Sequence, residues 1–274
     1  MKTLTARRFR NSGIAIVAAL LLVWLSGAMT TALRDTARQT GWILFSMICF
    51  LAAYNLRKKL PFLPLGASAT WLQFHIYVGL LTAVVFGVHV GWRIPNGLVE
   101  SLLATLYLFV FASGVIGLFL SRSLAKRLTT RGDEVLFERI PVYRNRLQAE
   151  VETIVFEELD EAASTAVAQF YADRLRPFFA QTRNFWQHLV QSNRSRFGLL
   201  NEMQAYRRYL NDAERETMAR LVTCVEAKDD LDYQFSLQAT LKYWLFVHVP
   251  LTYALLVFAI LHLLLVSAYS GGIS

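Results

Sequence analysis

Five apolar blocks constrain this chain more than anything else in it: residues 13–33, 41–56, 71–92, 98–120 and 243–269. A helix rises about 1.5 Å per residue and the hydrocarbon layer is about 30 Å thick, so about 20 apolar residues cross it. Only the second block is clearly short. Backbone N–H and C=O groups find no water in hydrocarbon, and a helix satisfies them internally. The fold expected is all-α, an integral membrane five-helix bundle. Trp42, Trp71, Trp92, Tyr243, Trp244 and Tyr269 stand at block ends, where amphipathic rings favour the interface.

Composition agrees. The chain is 55% hydrophobic and 18% charged, with mean hydropathy +0.36, against roughly 45–50% and 25% for soluble domains. So apolar a chain is not disordered, and its two cysteines cannot make a disulfide scaffold. Lys2, Arg7, Arg8, Arg10, Arg57, Lys58, Lys59, Arg122, Lys126, Arg127 and Arg131 would share one side of the membrane, against Arg34, Arg38 and Arg93 on the other. The positive-inside rule therefore puts the amino terminus in the cytoplasm and the carboxyl terminus outside, as expected in a bacterial inner membrane. Ser26, Gly27 and Ala28 would suit a signal-peptide cleavage site, but the length of the first block favours a retained span.

Residues 122–240 differ in kind. They hold 17 Lys and Arg against 18 Asp and Glu, so the formal charge of +8 belongs to the membrane edges and a nucleic-acid partner is excluded. Apolar residues recur at three- and four-residue spacing over 148–176 and 198–228, which reads as helix. Asn211 with Glu214 suggests a helix start, and Pro177 a break. The chain then divides into spans one to four (1–121), a helical cytoplasmic insertion (122–240), and a fifth span with a short outer tail (241–274). The insertion has no glycine-rich phosphate loop, CxxC or dinucleotide fingerprint. Its Asp229, Asp230 and Asp232 read as a solvated helix face.

Four of five histidines fall inside the blocks: His75 and His89 on the third, His248 and His262 on the fifth. Each pair is 14 positions apart, which at about 100° per residue leaves both rings near one face, about 21 Å apart along the axis. Both spans are odd-numbered and run outward, so His75 and His248 lie near the inner surface and His89 and His262 near the outer. An imidazole in hydrocarbon is costly unless its lone pair or proton is used. A lone histidine can hydrogen-bond across a helix interface. Two equally spaced pairs on parallel helices suit axial coordination of iron on both faces of a flat macrocycle.

This pattern of two H-x13-H pairs resembles the diheme transmembrane b-type cytochromes. The membrane domain of the ferric-reductase and NADPH-oxidase type carries such pairs on its third and fifth spans. The cytochrome b of quinol–cytochrome c reductases, a more distant likeness, carries them on the second and fourth. The resemblance covers about 150 membrane residues and none of the insertion, and the Pro-Glu-Trp-Tyr motif of the quinol-oxidising type is absent. It implies two bis-histidine b haems and a diheme subunit of a membrane electron-transfer complex. Its partners would be a quinone or quinol in the lipid bilayer and a c-type cytochrome, iron–sulfur protein or other redox subunit. Two other functions stay open: a transmembrane reductase of ferric ion or oxygen fed by a separate flavoprotein, and a haem-free proton-coupled transporter.

Secondary candidates follow from the same picture. Gly79, between the two histidines of the third span, would let a bulky ring approach, as would Gly13 and Gly27 on the first. Gly114 and Gly117 read as helix packing. Arg93, four residues past His89, is the outer candidate for a haem propionate; Lys242 and Arg57 to Lys59 are inner ones. Pro250 would kink the fifth span beside His248. Cys49 and Cys224 read as structural.

Overall fold

The computed structural model describes residues 2–31, 36–59, 67–129, 135–162, 165–182, 184–192 and 194–270. The described residues are almost wholly helical, with no strand among them. Helices α1 (Lys2–Thr31), α2 (Thr36–Lys59), α3 (Ser68–His89) and α4 (Leu98–Leu128) come first. Then follow α5 (Ile140–Ala162), α6 (Thr165–Phe170), α7 (Arg176–Ala180), α8 (Phe185–Leu189), α9 (Arg194–Tyr206) and α10 (Asp212–Ser270). Among the described residues, α3, α4 and α10 are long and apolar enough to cross a membrane.

The contacts divide the chain into two compact units, Met1–Phe119 with Trp244–Ser274, and Leu120–Tyr243. In the first, α3 packs against α1 and α2. Its core joins Leu44 and Ile48 of α2, Val85 of α3, Tyr107 of α4 and Leu255 of α10, with Leu22 of α1 against them. Outward, Leu20, Phe109, Phe119 and Phe246 are more than half exposed, a surface that suits lipid and would be a liability in water. Tyr107 hydroxyl donates to Thr82 Oγ1 at 3.0 Å and Thr82 donates to the Gly79 carbonyl at 2.7 Å, so these buried hydroxyls are satisfied.

The second unit has its own core, in which Val151, Ile154, Val167, Phe179, Met203, Met218 and Leu221 are buried together. The expected start at Asn211 is a reciprocal capping box: Asn211 N–H donates to Glu214 Oε2 at 2.7 Å, and Glu214 N–H donates to Asn211 Oδ1 at 2.8 Å. Ahead of Pro177 the helix loosens into a π turn over Tyr171–Leu175, and α7 begins with the proline in its first turn, where a missing N–H costs nothing. The periodic stretch 198–228 is two helices, separated by a 3₁₀ turn at Arg207–Tyr209.

Two readings of this region need correction. The aspartates at 229 and 232 are not a solvated face: Asp229 is 2% and Asp232 1% exposed. Asp232 pairs with the buried Lys228 one turn earlier and lies 3.6 Å from Arg144 Nε, while Asp229 faces His188 Nε2 at 3.7 Å. Buried charges survive only when paired. Burial pulls the Lys228 ammonium below its usual range, with Asp232 opposing that shift. Further, the fifth apolar block is no separate helix. It ends the 59-residue α10, which passes residues 240 and 241 unbroken and contains Pro250 in its interior.

Candidate functional site

The four intramembrane histidines sit on the two helices that the spacing assigned them to, His75 and His89 on α3, His248 and His262 on α10. α3 ends at His89 because the next residues reverse the chain. Gly91 (φ 62°) and Trp92 (φ 55°) are both left-handed, and Trp92 N–H donates back to the Gly87 carbonyl at 2.9 Å. A Cβ on Gly87 would meet the Trp92 ring at 2.6 Å. Glycine at 87 is what lets that indole fold onto the helix.

At the outer pair, His89 is held by α2. Its Nδ1 lies 3.0 Å from the Ala37 carbonyl oxygen and 3.4 Å from Thr40 Oγ1. A carbonyl oxygen only accepts, so that contact places the proton on Nδ1 and leaves the Nε2 lone pair free. Gly41 makes room for the ring: a Cβ there would stand 3.0 Å from His89 Cε1. His262 lies on α10, which joins α3 in the shared cluster at Val85 and Leu255.

The inner pair is supported differently. His75 rests on the Tyr54 ring of α2, with centroids 5.0 Å apart. His248 stacks on Trp244 at 5.2 Å, and its Nδ1 lies 3.2 Å from Ser113 Oγ on α4. Trp244 is itself anchored by donation to the Ser113 carbonyl at 2.8 Å. A Cβ on Gly114 would stand 3.6 Å from His248 Cε1, and one on Gly117 would fall inside the Trp244 ring. The structure thus holds His89 and His75 through α2 and His248 through α4.

Gly13, Gly27 and Gly79 would each present an added Cβ to open space. Gly41, Gly114 and Gly117 approach the histidines and Trp244 instead. Of the edge cations, Arg93 is exposed just past the α3 terminus. Lys242 pairs with Glu138 and stands 4.0 Å above the Phe137 ring. The side chains of Arg57, Lys58 and Lys59 lie outside the described residues. His188, the fifth histidine, is buried beside Asp229 in the second unit.

Fold and site define a class: among the described residues, an all-helical chain with three helices long and apolar enough to cross a membrane, two of which carry two histidines each. Comparison with family models, with curated proteins and with solved structures finds no match to it.

Proposed function

We propose that this chain is a five-span diheme cytochrome b, the membrane subunit of an electron-transfer complex. Electrons would pass between a quinone or quinol in the bilayer and a redox partner, a c-type cytochrome or an iron–sulfur subunit. The observation that carries the reading is His89, which spends its Nδ1 proton on the Ala37 carbonyl and keeps Nε2 for a ligand bond. Metal-bound histidines characteristically donate their second ring nitrogen to a carbonyl, carboxylate or water, which fixes tautomer and ring orientation.

The residues fit two bis-histidine iron porphyrins in three ways. The donor set is four imidazoles, a ligand type that holds haem iron. His248 Nδ1 has Ser113 Oγ at 3.2 Å, a hydroxyl that can fix the orientation of the ring. Gly41 keeps α2 from crowding the His89 ring. When bound, each iron porphyrin takes up and releases one electron.

The chain's own groups do the rest. His89 and His262 hold the outer centre, His75 and His248 the inner one. Ala37 and Ser113 orient His89 and His248 and raise the basicity of the coordinating nitrogen. The cluster around Val85, Tyr107 and Leu255 keeps water out between the two levels. Arg93 offers a cation at the outer edge.

Single alanine substitutions test the assignment by absorbance and electron paramagnetic resonance of the purified chain. H89A and H262A should each remove the same low-spin signal, and H75A and H248A the other, leaving about half the haem. Loss of both signals in every variant, or of neither, would contradict the pairing.

A further inference from the structure

A groove of about 380 Å³ runs between the end of α3, the Trp92–Ile94 segment and α4. Its size lies within the roughly 300–1,000 Å³ of small-molecule sites. Phe86 and Tyr107 form its floor as a stacked pair, 4.2 Å between centroids and 20° between planes. Phe111 continues that stack from Tyr107 at 6.2 Å. One wall is the Trp92 indole, held in its left-handed backbone and folded over Gly87. Arg93 is the single charged side chain on the lining, and its guanidinium carries five N–H donors and no acceptor. The groove face of α3 lies roughly 110° round the helix from His89 at 100° per residue.

We infer that this groove binds the ring of a quinone dissolved in the bilayer. Aromatic walls favour offset stacking with a flat ring. Arg93 supplies the polar complement that a quinone carbonyl oxygen needs. Flanking Leu108 is 55% and Ile94 88% exposed, so an isoprenoid tail can leave along an apolar surface. A left-handed backbone at a non-glycine residue persists only where its surroundings enforce it, characteristically at ligand clamps. Trp92 is such a residue, and its bond to the Gly87 carbonyl keeps the indole over the groove. The site's purpose rests on the electron-transfer reading above, but its binding test does not.

The full chain in lipid nanodiscs is titrated with decyl-ubiquinone, following quenching of tryptophan fluorescence. Saturable quenching is expected, lost in W92F and shifted at least tenfold to higher concentration in A83F, with decyl phosphate unable to displace the quinone. Unsaturable quenching, a W92F variant that quenches as the parent does, or displacement by decyl phosphate would overturn the proposal; the last would make the groove a lipid-phosphate seat. A haem-free preparation that binds saturably would sink the electron-transfer reading and keep the groove. A two-haem preparation without saturable quenching would do the reverse.

Discussion

At the scale of single residues, the site depends on which atoms the imidazoles spend. Gly41 sets the space for His89, and a methyl there would stand 3.0 Å from Cε1, so the ring must give by a few tenths of an ångström. Overpacking of this kind costs about 1–3 kcal/mol. G41A should lower stability by about 1 kcal/mol and shift the midpoint potential of one haem but not the other, read by redox titration. An unchanged pair of potentials would separate Gly41 from the site. In the second unit, burial raises the Cys224 thiol above its ordinary value of 9.0. The folded state therefore holds that proton where the unfolded state loses it. Stability from this group is intact below pH 9 and falls as pH rises from there through the folded value. Iodoacetamide at pH 8.5 should leave Cys224 unmodified in the native chain and alkylate it in denaturant, as peptide mass mapping would show.

The histidine pairs were legible in the sequence because a polar ring in an apolar block is conspicuous and helical spacing is regular. Their supports were not. Ala37, Gly41, Ser113 and Gly114 look like ordinary small helix residues, and their roles depend on contacts with residues 49 to 135 positions away. The run at 229–232 misled for a local reason. Aspartates on a helix usually face water, but Lys228 four residues before Asp232 offered a partner within one turn. That spacing was the available clue.

Among the elements, α10 is the one whose extent sequence reasoning missed. A capping box at Asn211 and Glu214 starts it, and no glycine interrupts it before its last turn. The change from polar insertion to apolar block alters what surrounds the helix, not its backbone. Thr252 donates to the His248 carbonyl at 2.8 Å, a local bond one turn along the helix that spans Pro250. Replacing the cap, N211A, should cost about 1 kcal/mol, as N-cap losses do. The check is chemical denaturation of the full chain in detergent. No change in midpoint would mean that packing alone fixes the start of α10. The turn after α3 belongs to this scale too: Gly87, Gly91 and Trp92 together end that helix at His89 and set the groove wall.

For the whole molecule, hydropathy reveals membrane crossing because lipid forces backbone satisfaction within each segment. The structure establishes three such helices, while the five-span count belongs to the proposal. Division into an apolar unit and a polar, self-cored unit follows the change in composition along the chain. The polar unit buries its charges in pairs, an arrangement that breaks expensively when one partner is removed, at about 3–5 kcal/mol.

Haem content of the purified full chain, by pyridine haemochrome against protein mass, tests the central claim most directly. Two b-type haems per chain, both low-spin, are the expected result. A folded, colourless protein that takes up no haem on reconstitution would contradict it.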